Sequence, residues 1–194
     1  MTPFAYAITL VLALSGAVGI QDAAATEVAP PAGLEMPKKA KWDPKGNVQD
    51  AFYQAELHYR AERYDQAETA LREVLAIQAG CGDALYELAK AVDAQDRTAE
   101  AIEILAFAVS LFPSEEKVYT LKSRMEVDDH RYDDAVGTAD TAIALNPKSY
   151  DAHKARVKAL IRAGRFDDAL SGLDAAQAER EGRDYDCLAV QVLA

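Results

Sequence analysis

Arg131-Tyr132-Asp133-Asp134-Ala135 is one of four related segments, and its alanine decides how the chain is read. Ala67, Ala101, Ala135 and Ala169 stand 34 residues apart without a slip. Three residues before each alanine are Tyr64, Thr98, Tyr132 and Phe166; one earlier are Arg63, Arg97, Arg131 and Arg165. Four residues after each come Leu71, Leu105, Ala139 and Leu173, and seven after come Val74, Ala108, Ala142 and Ala176. Small and apolar side chains at i, i+4 and i+7 form one stripe of a helix. The small ones let a neighbouring helix approach closely.

A period of 34 leaves room for a second helix and two short turns. A helical hairpin of this size cannot bury its apolar face alone, whereas stacked hairpins bury a continuous core. The spacing therefore predicts an all-α array of four units, residues 48–81, 82–115, 116–149 and 150–183. They begin near Val48, Gly82, Glu116 and Tyr150. The first helix of each unit carries its own stripe: Phe52, Ala55 and Tyr59; Leu85, Leu88, Ala89 and Val92; Val118, Leu121 and Met125; Ala152, Val157, Leu160 and Ile161.

These segments resemble the tetratricopeptide repeat (TPR) family. Arg63-Tyr64-Asp65-Gln66-Ala67, Arg131-Tyr132-Asp133-Asp134-Ala135 and Gly164-Arg165-Phe166-Asp167-Asp168-Ala169 look like that family's turn into its second helix. Pro113 and Pro147 fall where the family places the proline that ends that helix. Thr98 departs from the aromatic, and Ala79 and Glu181 depart from the proline. The resemblance covers residues 48–183. It implies a right-handed α-solenoid of antiparallel helix pairs, the TPR superhelix, whose first helices line a concave groove for a protein or peptide. One subclass clamps a C-terminal carboxylate with Lys and Asn in its first two units. Phe52 and Glu56 occupy that region here, so the clamp does not carry over.

In that register the groove residues are Tyr86, Lys90, Lys117, Arg124, Lys154, Lys158 and Arg162. Lys154, Lys158 and Arg162 recur every four residues and share one helix face. A groove that turns basic toward its C-terminal half suits an acidic segment or a chain-terminal carboxylate. The plainer alternative is a solvated lysine face.

The chain has 194 residues and a formal net charge of −11. Nearly all of that charge lies in the repeats. Asp22 is the one charged residue of 1–25, and in 26–47 four lysines stand against Glu27, Glu35 and Asp43. An acidic array repels phosphate backbones, so nucleic acid is excluded as a general partner.

Nothing points to catalysis, a metal or a cofactor. His58, His130 and His153 have no second ligand at metal-binding spacing. Ser114-Glu115-Glu116-Lys117 has the Ser-x-x-Lys spacing of some acyl enzymes, but Ser114 stands where a serine caps a helix. Asp133-Asp134 and Asp167-Asp168 open helices, where acids favour the dipole. The arginines at 63, 97, 131 and 165 form a ladder along the turns, structural by default and a ligand edge in the rival reading. Cys81 and Cys187 are separated by three units, beyond the ~7 Å between Cα atoms that a disulfide spans. They are expected either to be inert or to bond another chain.

The N-terminus is apolar and uncharged from Thr2 to Gln21. Ala23-Ala24-Ala25, or Ala17-Val18-Gly19, fits the cleavage site of a secretory signal peptide over residues 1–25. An uncleaved anchor is the rival, since 20 uncharged residues just span a bilayer. Residues 26–47 hold Pro30, Pro31, Pro37 and Pro44 and read as a flexible linker. Trp42, among Lys38, Lys39, Lys41 and Lys45, is either part of that spacer or a docking residue. Residues 184–194 read as a partial helix that caps the array or buries its surface against a second chain. The sequence thus predicts an exported non-enzymatic scaffold, with a bacterial periplasm as its compartment. The alternative is a membrane-anchored chaperone-like subunit presenting clients to an assembly machine.

Overall fold

The computed structural model describes residues 47–179. The signal or anchor, the linker with Trp42, Cys187, Glu181 and the capping segment 184–194 lie outside the described residues.

Eight helices run in antiparallel pairs: α1 (Asn47–Arg60) with α2 (Tyr64–Ile77), α3 (Gly82–Asp93) with α4 (Thr98–Leu111), α5 (Glu116–Asp128) with α6 (Tyr132–Leu145), and α7 (Tyr150–Arg162) with α8 (Phe166–Glu179). The architecture is an all-α stack of helix pairs with the right-handed solenoid form. Each second helix also packs on the first helix of the next unit, so the stack is continuous.

The alanine register explains why the stack closes. Ala67, Ala101, Ala135 and Ala169 are all 0 % exposed. Leu71, Leu105, Ala139 and Leu173 are buried one turn later, as are Val74, Ala108 and Ala142 another turn on. First-helix side chains meet them: Leu85, Leu88, Val92, Val118, Met125, Val157 and Leu160 are all buried. Thr98, in the aromatic position, instead donates its hydroxyl to Asp93 at 2.7 Å and closes the α3–α4 turn that way.

The turn inside each unit repeats in detail. Glu62, Asp96, His130 and Gly164, again 34 apart, have φ of 58°, 60°, 62° and 74°. Each is the left-handed residue that ends a helix, and the arginine after it closes the motif. The backbone N–H of Arg63, Arg97, Arg131 and Arg165 donates five residues back, to His58, Val92, Glu126 and Leu160. The carbonyls of the same arginines accept from Ala67, Ala101, Ala135 and Ala169, starting the second helix. Three of their side chains fold onto the acid three residues on: Arg97 to Glu100 (3.0 Å), Arg131 to Asp134 (2.9 Å) and Arg165 to Asp168 (2.8 Å). The arginine ladder is thus built into the turns.

Turns between units repeat as well. Cys81, Glu115 and Ser149 donate backbone N–H to Gln78, Phe112 and Asn146. Here the expectation for Ser114 is corrected. Pro113 and Ser114 are the two central residues of the Phe112–Glu115 turn, where proline's fixed φ suits the first central place. Helix α5 therefore starts one residue later, with Glu115 at its N-cap and no side-chain cap bond. The serine cap occurs in the next unit, where Ser149 accepts from the Ala152 N–H at 3.3 Å.

Candidate functional site

The first helices face one side of the stack, and two clefts open along it. The larger, about 470 Å³, is lined by Tyr86 of α3, Glu116, Lys117, Thr120, Leu121 and Arg124 of α5, and Asp151, Lys154, Ala155 and Lys158 of α7. Five of the seven groove residues expected from sequence meet here: Tyr86, Lys117, Arg124, Lys154 and Lys158. Lys90 lines the neighbouring cleft, and Arg162, exposed at the end of α7, lines neither.

The cations of the larger cleft differ in how they are held. Lys117 pairs with Asp83 at 2.7 Å, and that hydrogen bond holds its ammonium above the ordinary lysine range. Lys158 pairs with Asp128 at 3.1 Å. Arg124 and Lys154 make no ion pair among the described residues, and both are exposed. Of the two acids in the cleft, Glu116 is tied down, accepting from Thr120 at 2.6 Å and Ser149 at 2.7 Å. Arg124 and Lys154 are thus two open cations from adjacent helices, over a floor of Leu121 and Ala155. That arrangement can take a carboxylate, and its charge-assisted bonds would be the strong contacts.

Of the second cleft, sequence reasoning placed only Lys90 among the groove residues. About 410 Å³ in volume, it is lined by Phe52, Ala55, Glu56, Tyr59 and Arg60 of α1, Leu71 of α2, and Glu87 and Lys90 of α3. Here α1 and α3 stand further apart than α5 and α7, which pack directly. Its charges are mostly paired: Arg60 with Glu56, and Lys90 with Glu87 at 2.7 Å. What remains is apolar and aromatic. The Lys90 ammonium lies 4.8 Å from the centroid of the Tyr59 ring and 5.7 Å from that of Tyr86, so it links the clefts. Burial raises the Tyr59 phenol above its ordinary range, against the opposing charge of Lys90.

The signal for two clefts was in the 34-residue register. At one first-helix position the residues are Phe52, Tyr86, Thr120 and Lys154, running from apolar to cationic. Four residues on they are Glu56, Lys90, Arg124 and Lys158.

The other residues singled out for chemistry do not gather. His130 bonds Tyr132 through Nδ1 at 2.7 Å, and His153 donates Nε2–H to the Pro147 carbonyl at 2.9 Å. Cys81 is a free, half-buried thiol at the start of α3. No group of three potential metal ligands occurs among the described residues. Among the same residues no helix is long and apolar enough to cross a membrane.

The sequence profile of the tetratricopeptide repeat matches residues 58–125 and 126–187. No curated protein matches the chain in sequence. Among solved structures, TTC0263, a thermophilic TPR protein of Thermus thermophilus, is similar with a TM-score of 0.63 and 21% identity. The match covers 75% of this chain and 80% of that one. MamA (residues 41 to end) from Desulfovibrio magneticus RS-1 is similar with a TM-score of 0.63 and 13% identity, covering 70% and 77% of the two chains. The first TPR of Spaghetti (RPAP3), bound to the HSP90 peptide SRMEEVD, gives a TM-score of 0.57 and 15% identity, covering 61% of this chain and 94% of that one.

Proposed function

The chain belongs to the tetratricopeptide repeat family, and from that premise we propose that it is a non-enzymatic scaffold that captures a protein segment in the groove of its first helices. One observation carries this reading. Arg124 and Lys154, on adjacent helices, present unpaired cations to one cleft of an otherwise acidic protein. Spaghetti shows that a relative of this fold holds an acidic peptide. An acidic segment of a partner is the ligand class that this cleft suits.

The scaffold acts at a membrane, on this reading, because the uncharged stretch Thr2–Gln21 precedes the repeats. An anchored subunit that presents a client to an assembly machine follows from that stretch if it is retained. An exported scaffold of the bacterial envelope follows if it is removed. Intact mass of the protein from its native host separates the two. Loss of roughly 19–25 N-terminal residues rules out the anchor.

The groove assignment is tested by charge reversal. Arg124→Glu with Lys154→Glu should abolish capture of the native partner while the thermal melt followed by circular dichroism stays close to wild type. Undiminished capture by a folded double variant would place the partner elsewhere.

A further inference from the structure

The two clefts differ in chemistry, and they are joined. Phe52, Ala55, Tyr59 and Leu71 make the first a seat for an apolar side chain. Arg124 and Lys154 make the second a seat for carboxylate. Tyr86 stands between them, with the ammonium of Lys90 5.7 Å and that of Lys117 5.9 Å from its ring centroid. Resting on the groove reading above, we propose that the ligand is one extended segment with two parts: an apolar or aromatic side chain seated between α1 and α3, and acidic side chains seated between α5 and α7.

The separation of the two parts follows from the stacking. The seats are two first-helix spacings apart. At ~8–10 Å for helices that pack directly, as α5 and α7 do, and more where α1 and α3 stand apart, that is at least about 16–20 Å. An extended chain advances ~3.3 Å per residue, so the two parts are at least about five or six residues apart. The apolar seat lacks an unpaired cation, because Arg60 and Lys90 are held by Glu56 and Glu87. A segment made only of acids leaves that seat empty. A segment made only of apolar residues leaves Arg124 and Lys154 without a counter-charge. Each half of the ligand is therefore specified by a different pair of units, and the array reads two features where a single unit would read one. Because the cations stand on α5 and α7, the acidic part is expected to be side chains and not a terminal carboxylate held by the first two units.

The test uses fluorescence anisotropy on the full chain with labelled synthetic peptides, capped at both ends to remove terminal charges. The two-part probe carries Trp, a five-residue Gly/Ser spacer and Asp-Glu-Asp. One control replaces Trp with Ser, and the other replaces the acids with Asn and Gln. A third, uncapped at its C-terminus, offers only the terminal carboxylate. The two-part probe should bind at least about tenfold more tightly than any control, since joining two contacts makes the second intramolecular. Lys154→Glu should remove the advantage of the acids and leave that of Trp. Tyr59→Ala should do the reverse, its fold checked by circular dichroism. Equal binding of the acid-only and two-part probes overturns the proposal, as does dominance of the terminal carboxylate. Absence of binding by every probe overturns it too. If charge reversal still abolishes capture of the native partner in either event, the groove assignment stands without it.

Discussion

The Glu68 carboxylate of α2 accepts from the Arg97 guanidinium, at the N-cap of α4, at 2.8 Å across the seam between the first two units. It also accepts from Gln95 at 2.8 Å and from Arg72 at 2.8 and 3.0 Å, while Arg72 reaches on to Glu100 at 3.2 Å. The corresponding residues of later units are Ile102, Val136 and Leu170, so at this one position the first seam carries a charge and the others an apolar side chain. Burial alone would raise the Glu68 carboxyl, but the bonds from Gln95, Arg72 and Arg97 together hold it below its ordinary range. Glu68→Gln should cost about 1.5–3 kcal/mol at neutral pH, the range for hydrogen bonds to a charged group.

That same shift sets the pH dependence. A carboxyl lowered on folding stabilises fully above its unfolded value, ~4.3 for glutamate. The contribution is lost as the pH falls through the lower folded value. Urea midpoints of wild type and Glu68→Gln should therefore differ at pH 7 and converge in acid below that range. A constant difference across the series would assign the effect to packing.

The alanine register makes a steric prediction. Ala101 is fully buried where α4 meets its neighbours. Ala101→Leu should destabilise the array by about 1–3 kcal/mol, or more, through overpacking. Urea denaturation measures the loss. Ala99→Leu, at the exposed residue two positions earlier on the same helix, should be close to neutral.

The left-handed turn residues predict gains. Glu62 holds φ 58° without the freedom that Gly164 has at the equivalent site. A left-handed conformation costs a side-chain-bearing residue ~1–2 kcal/mol. Glu62→Gly should therefore raise stability by up to about 1 kcal/mol once the extra freedom of glycine in the unfolded chain is deducted. The gain at His130 should be smaller, since His130→Gly also removes the bond to Tyr132. Thermal denaturation of the two variants ranks them.

Glu126 is fully buried and ion-paired to Lys122, and its Oε2 has no hydrogen-bond partner among the described residues. Lys122→Met should cost about 3–5 kcal/mol, because it leaves a buried charge uncompensated. Adding Glu126→Leu should recover most of that loss. A double variant no more stable than Lys122→Met would show that the cost lies in shape and not in charge.

The fold was legible because the feature that repeats is also the feature that packs. Ala67, Ala101, Ala135 and Ala169 are constrained by contact between helices, and such contact leaves a period in the sequence. The turn arginines were legible only as a pattern. Their role needed the backbone, since an N–H donating five residues back leaves no mark on side-chain identity. Ser114 was misplaced because a Pro-Ser turn and a Pro-Ser helix cap begin alike. The candidate groove was half legible. Arg124, Lys154 and Lys158 declare themselves by charge and spacing. The cleft at Phe52, Tyr59 and Leu71 did not, because apolar residues there read as ordinary core. Which cations are open, Arg124 and Lys154, and which are spent, Lys117 and Lys158, depends on Asp83 and Asp128 of the preceding units.

The most direct measurement of the central claim is site-specific photocrosslinking in the native host. A photoreactive residue replaces Asp151, which lines the larger cleft, or Glu103, exposed on the second helix of unit two. A partner held in the groove of the first helices should give a covalent adduct from position 151 and none from 103. That adduct should disappear when Arg124→Glu and Lys154→Glu are added. Adducts from position 103 with none from 151 would contradict the account.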